Sequence, residues 1–235
     1  MEVIAHREVA RLAPENTLAT LHACIEQGIS WAEVDVRRTR DGHHVLMHDE
    51  RVERTTTGSG RVAELTLVEL QRFDAGSWFS VRYTGLRVPT LREALELTRG
   101  RLGLYLDCRE VEPAGLFDEI RAAAVPGGVM AVFEPPLDPG MGEQIPDGVR
   151  LVVYWDATSG SLSELAERTG CSIVEIGAPA VTAELVAEAH GMSLAVECVT
   201  LRQHDAREWW LRCRDAGADW IMTDKPLEAR DAVAG

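Results

Sequence analysis

The stretch Trp31-Ala32-Glu33-Val34-Asp35-Val36 reads as a buried strand that carries carboxyl groups on one face only. Side chains alternate along a strand, so Glu33 and Asp35 share one side while Ala32, Val34 and Val36 share the other. The run Leu102-Gly103-Leu104-Tyr105-Leu106-Asp107-Cys108 repeats the arrangement, with Asp107 and Arg109 two apart at its end. Outward from these two, β-rich runs recur at Glu2 to His6, Val129 to Phe133, Leu151 to Trp155, Ile173 to Ile176, Leu194 to Cys198 and Trp220 to Thr223. Helical periodicity fills the gaps at Glu15 to Gln27, Leu91 to Arg99, Ala114 to Ala124, Ser161 to Arg168, Ala183 to His190, Asp205 to Ala216 and Leu227 to Val233. Eight strands alternating with helices predict an α/β chain folded as a (β/α)₈ TIM barrel.

Two stretches break the rhythm. Asp138 to Ile145 is rich in Pro and Gly and forms the weakest unit. Residues 50–88 are too long for a structureless loop and predict a small insertion after the second strand, within one catalytic domain spanning 1–235. In a barrel, that loop opens onto the catalytic face.

Bulk properties narrow the function. With 235 residues, 46% of them hydrophobic and 26% charged, the chain can bury a sizeable core. A formal net charge of -14 argues against nucleic-acid binding, which needs a basic face to displace counterions, and against an acidic membrane surface. Lys225 is the only lysine, so contacts to a phosphate are expected from arginine. Cys24, Cys108, Cys171, Cys198 and Cys213 are odd in number and lack CxxC spacing, which suits a reducing compartment. No basic stretch followed by an apolar core opens the sequence, and no run approaches a membrane span. The expectation is a cytoplasmic protein without a stable membrane anchor, acting on a small molecule, with self-association left open.

Glu33 and Asp35 must point into a barrel or its mouth, where two carboxylates require a cation. An arginine ion pair would serve; a divalent metal is favoured because acidic residues also end neighbouring strands, and Asp107 would complete an oxygen set. Arg109 could reach a phosphate oxygen. His6 closes the first strand and His48 follows the apolar run Val45 to Met47. Two histidines at strand ends beside carboxylates can act as general base and general acid. His43 and His44 adjoin the Asp41-Gly42 turn and are expected to face solvent, and at least one of Trp209 and Trp210 is expected to pack in the core or at an oligomer contact.

At these residues the chain resembles the glycerophosphodiester phosphodiesterases. The likeness lies in Ile-Ala-His-Arg from Ile4, Ala-Pro-Glu-Asn-Thr-Leu from Ala13, Glu-Val-Asp-Val from Glu33, Thr-Arg-Asp-Gly from Thr39 and Val-Leu-Met-His-Asp from Val45. It continues in Leu-Thr-Leu-Val-Glu-Leu from Leu65, Val-Pro-Thr-Leu-Arg-Glu-Ala-Leu from Val88 and Gly-Ala-Asp-Trp-Ile-Met-Thr-Asp-Lys-Pro from Gly217. It implies a metal-dependent phosphodiesterase that yields an alcohol and a phosphomonoester, sn-glycerol 3-phosphate for the family substrate. It also implies catalytic His6 and His48, one divalent ion (Mg²⁺, Ca²⁺ or Mn²⁺) on Glu33, Asp35 and Asp107, and phosphate binding by Arg7. Glu15 and Asn16 would order the site, although Asn16 would equally serve as a helix cap.

Four positions depart from the family pattern: Glu8 replaces glycine, Asp107 replaces glutamate, Arg109 replaces lysine, and Glu197 stands where tryptophan is usual. Glu134, Asp156, Glu175 and Asp224 add to an acidic mouth, in which pairing with Arg7, Arg37, Arg109 or Lys225 is one account. The other is that Glu197 and Glu134, with Trp155 as a stacking face, select a substrate bearing an amine, a quaternary ammonium or many hydroxyls. A lyase that stops at a cyclic phosphate and a barrel that binds a phosphorylated ligand without turnover are alternative functions on the same residues.

Overall fold

The computed structural model describes residues 1–7, 12–123, 128–134 and 141–234; Glu8 lies outside them. The strands are β1 (Glu2–Ala5), β2 (Trp31–Arg38), β3 (His44–Leu46), β4 (Gly103–Cys108), β5 (Val129–Phe133), β6 (Val149–Trp155), β7 (Ile173–Gly177), β8 (Ala195–Val199) and β9 (Trp220–Thr223). The helices are α1 (Leu18–Glu26), α2 (Leu67–Leu70), α3 (Leu91–Thr98), α4 (Pro113–Ala123), α5 (Leu162–Thr169), α6 (Ala183–Gly191), α7 (Arg207–Ala216) and α8 (Pro226–Val233). The parallel strands run in the order β1, β2, β4, β5, β6, β7, β8, β9, and β9 pairs with β1 to close the ring. This is the eight-stranded parallel barrel expected from the pattern. The ninth strand, β3, returns antiparallel on β2 through the Asp41-Gly42 turn, where Gly42 has φ 90. Between β5 and β6 the described residues hold a 3₁₀ turn, Met141–Gln144, rather than an α-helix. Among the described residues, no helix is long and apolar enough to cross a membrane.

Alternation divides each strand between two environments. Val34, Val36, Leu104, Leu106, Val174, Ile176, Val196 and Cys198 face outward into the main core beneath the helices. Inward residues form layers. At the bottom, Trp31 and Trp220 meet edge to face at 6.3 Å, and both indole N–H groups donate to the Glu2 carboxylate at 3.0 Å. Arg150 lies over both rings, 5.4 and 4.6 Å from their centroids. Gly103 makes room for Trp31, because a Cβ there would sit 2.4 Å from the ring. The next layer is apolar, with Ile4, Met130, Val152 and Ile173 around Tyr105. Polar groups are left for the top.

Capping residues start several helices. Thr90 with Glu93 and Ser161 with Glu164 form capping boxes at α3 and α5. The segment after β3 has its own small core of Val45, Met47, Val52, Val62, Leu70, Ala75 and Val88. His44 departs from the solvent-facing expectation: it is buried, and its Nδ1 lies 2.8 Å from Glu119 on α4. His44 faces the helix layer because it pairs in register with Arg38, next to the turn and on the same outward face of β2 as Val34 and Val36. Trp210 packs in the core with its indole N–H on Asp205.

Candidate active site

Glu33 and Asp35 project inward from β2, and Asp107 projects from β4 in register with Asp35. One carboxylate oxygen from each of the three lies within 4.8 Å of the others. Glu33 and Asp35 are buried. Burial pushes the Glu33 carboxyl well above its ordinary range; the Asp35 charge adds to this and Arg7 opposes it. Asp107 is raised by burial, against the pull of Arg109.

Arginines and an asparagine frame these carboxyls. The Arg109 Nε–H donates to Asp35 at 2.8 Å, and its other arm pairs with Asp107. Arg7 has φ 42, a left-handed turn at the end of β1, and its backbone N–H donates to Glu33 at 3.0 Å. Its Nε is 3.3 Å from Asp35 but is not aligned for a hydrogen bond, and it finds no other partner among the described residues. Asn16, at φ 53, donates to Asp35 at 2.7 Å and accepts from the Asp35 backbone N–H at 3.0 Å. The cap of α1 is Thr17, so Asn16 clamps Asp35 instead of starting the helix.

This donor set fits a hard divalent cation. Three carboxyls from two adjacent strands face two guanidiniums, leaving an excess of negative charge in a buried place. Carboxyls held above their ordinary range by burial gain from a cation that offsets this charge.

His6 lies beside the triad, with Nε2 3.9 Å from Glu33 and Nδ1 2.7 Å from Asp224. The hydrogen bond to His6 holds the Asp224 carboxyl below its ordinary range, so at neutral pH it is ionised and only accepts. In the neutral imidazole the proton is therefore on Nδ1, and the Nε2 lone pair lies on the side of Glu33. Asp224 is itself positioned: its backbone N–H donates to buried Asp205 at 3.0 Å.

His48 repeats the logic. Its Nδ1 is 2.5 Å from Asp49, whose carboxyl is lowered to about 2, first by its hydrogen bond from Arg54. Arg54 binds Asp49 through Nε at 2.6 Å and forks onto buried Glu15 at 2.9 and 2.7 Å. The Met47 backbone N–H donates to the Asp35 carbonyl at 3.0 Å, tying this segment to the triad strand. Asp49 and Arg54 were missed from sequence; the adjacent His48-Asp49 pair was the available signal.

A cavity of about 800 Å³ opens above the barrel, lined by His6, Arg7, Glu33, Asp107 and Arg109 on one side and by Phe133, Glu134, Tyr154 and Glu175 on the other. The remaining sequence candidates fall elsewhere. His48 flanks the triad strand without lining this cavity. Trp155 does not line it, and its indole donates to the Gly160 carbonyl at 2.9 Å. Glu197 is fully buried below it. Asp156 caps its own loop through Thr158 and Ser159, and Lys225 bonds the Asp205 carbonyl, so neither joins an acid–base pair of the mouth.

The family profile described as "Glycerophosphoryl diester phosphodiesterase family" matches residues 6–107, the span that carries His6, His48 and the carboxyl triad. The chain is 47% identical over 95 residues to a glycerophosphodiester phosphodiesterase from Caldanaerobacter subterraneus subsp. tengcongensis, covering 40% of this chain and 39% of that one. Its fold matches a glycerophosphodiester phosphodiesterase from Agrobacterium tumefaciens with TM-score 0.85 and 28% identity, over 98% of this chain and 99% of the other. Over residues 6–107, and in its overall fold, the chain resembles the glycerophosphoryl diester phosphodiesterase family. This is a family of phosphoric diester hydrolases. A further solved structure, an Oleispira antarctica phosphodiesterase in complex with the product sn-glycerol-3-phosphate, aligns with TM-score 0.84 and 28% identity over 100% of this chain and 97% of that one. The alignments to curated relatives span less than half of those proteins' lengths, 45% and 39% for the first two.

Proposed function

We propose that this chain hydrolyses a glycerophosphodiester-like substrate to an alcohol and a phosphomonoester, sn-glycerol 3-phosphate when the family substrate is used. The observation that carries the reading is the oxygen triad of Glu33, Asp35 and Asp107 with His6 beside it and His48 on the segment hydrogen-bonded to the triad strand, each ring held at Nδ1 by a carboxylate. Glu33, Asp35 and Asp107 hold one divalent ion, Mg²⁺, Ca²⁺ or Mn²⁺ by the hardness of the donors. When bound, such an ion offsets the charge that develops on the phosphoryl oxygens.

The chain's own groups do the rest. Arg7, with its buried Nε lacking an aligned acceptor, and Arg109 bind non-bridging phosphate oxygens. The Nε2 atoms of His6 and His48 handle protons: one removes the proton of the attacking oxygen, and the other, protonated, delivers one to the leaving alkoxide. Asp224 and Asp49 keep both rings in the required tautomer and stabilise the imidazolium form. Asn16 keeps Asp35 turned toward its neighbours. Five free, buried cysteines suit a reducing compartment, in line with a cytoplasmic setting.

A screen of divalent metals against phosphodiesters, with products identified by mass and phosphorus NMR, tests the reading. Metal-dependent release of a phosphomonoester, abolished by His6→Ala and by His48→Ala, is the expected result. Accumulation of a cyclic phosphate would make the protein a lyase, and absence of turnover on every diester would make it a binder.

A further inference from the structure

The triad and histidines leave the far floor of the cavity unexplained. There Glu175 on β7 and Glu197 on β8 stand in register on adjacent strands, both on the inward face. Glu175 lines the cavity, and one of its oxygens accepts the Tyr105 hydroxyl from across the barrel. Glu197 is 0% exposed, and neither of its oxygens has a hydrogen-bond partner among the described residues. Burying a carboxyl without a partner is costly, and a like group beside it adds to the cost. Burial and the Glu175 charge together push the Glu197 carboxyl well above its ordinary range.

With Glu197 protonated, the pair carries at most one negative charge and a single O–H donor for its several acceptor sites. Arg168, which also lines the cavity, sits on an exposed face of α5. A divalent metal is poorly served at this floor: the only cluster of three or more metal-ligating groups found among the described residues is Glu33, Asp35 and Asp107. What suits the pair is one positive charge that carries several N–H donors. A primary ammonium has three. A trimethylammonium has the charge but no donor, and it would need an aromatic cage instead.

We propose that the cavity floor formed by Glu175, backed by Glu197, is a subsite for a primary ammonium group on the substrate alcohol, so that the enzyme prefers aminoalkyl phosphodiesters to trimethylammonium or neutral ones. This rests on the phosphodiesterase reading above and replaces the sequence-based assignment of Glu197, Glu134 and Trp155: Glu175 makes the contact, Glu197 backs it, and Trp155 is not involved.

The test compares kcat/KM for glycerophosphoethanolamine with that for glycerophosphoglycerol and glycerophosphocholine, in the wild type, Glu175→Gln and Glu197→Gln. The wild-type ethanolamine preference is expected to be about tenfold or more, the size of a charge-assisted hydrogen bond, and to fall at least tenfold in Glu175→Gln. Glu197→Gln, which offers Glu175 an internal amide donor, should lower it as well. Each ratio is internal to one enzyme, so partial misfolding cancels. An equal ratio in all three proteins, or a wild-type preference for choline, overturns the proposal. Turnover of bis(p-nitrophenyl) phosphate reports on the chemistry alone. If the wild type turns over no diester, calorimetric binding of phosphoethanolamine against ethyl phosphate decides: tighter binding that depends on Glu175 supports the subsite, and equal binding overturns it.

Discussion

Replacing Asp224 separates two contributions to His6 that a simple loss of activity would merge. The Asp224 carboxylate accepts from His6 Nδ1 at 2.7 Å while its side chain is 49% exposed. A hydrogen bond to a charged group contributes about 1.5–3 kcal/mol, and half exposure places this one near the lower end. Asp224→Ala removes that contribution, and water can still accept from Nδ1. Its expected cost is about tenfold in kcat, at about 1.4 kcal/mol per factor of ten. Asp224→Asn is the more severe change although nearly isosteric. Its amide can donate to Nδ1, which moves the imidazole proton to Nε2 and removes the lone pair facing the cavity. The loss should then approach the full worth of a general base, about 10²-fold or more. The assay is the initial rate on bis(p-nitrophenyl) phosphate at saturating metal, followed from about pH 6 to 9, a range that brackets the ordinary histidine titration. An asparagine variant no slower than the alanine variant would refute the tautomer reasoning, and two near-wild-type rates would remove Asp224 from the site.

Three further outcomes follow from the same geometry. Arg54→Met leaves buried Glu15 without its forked partner and should destabilise the fold by about 2–4 kcal/mol in urea unfolding, with an accompanying loss of His48 function; an unchanged midpoint would show that the fork is dispensable. Asp49 has a folded pKa of about 2, below its ordinary value of 3.8, so its stabilisation is present above pH 3.8 and is lost as pH falls through 2. The wild type should therefore exceed Asp49→Asn in unfolding free energy by about 1–2 kcal/mol at neutral pH, converging in strong acid, and a pH-independent difference would contradict the assignment. Adding Mg²⁺, Ca²⁺ or Mn²⁺ at about 100 times its Kd should raise the unfolding free energy by about 2.7 kcal/mol, and Asp35→Asn should abolish the effect; melting curves indifferent to all three metals would refute the triad as a metal site.

The barrel was legible in the sequence because its signals are local. Alternation in Trp31 to Val36 and Leu102 to Cys108, with helical periodicity between strands, depends only on which faces meet the core. The same alternation put Glu33 and Asp35 on one face, and strand-end position drew attention to His6 and Asp107. What the tertiary structure decided was which distant groups meet. Asp224 is 218 residues from His6, and the closure of β9 onto β1 brings them together. Asn16, equally readable as a cap or as a site residue, proved to clamp Asp35 because Thr17 takes the helix start. The sequence marks Glu175 and Glu197 only as acidic residues of the barrel mouth; the stacking of strands across the barrel shows Tyr105 reaching Glu175 while Glu197 is left without a donor among the described residues. Periodicity records the direction of a side chain, whereas partnership depends on ring closure and register, which no single segment contains.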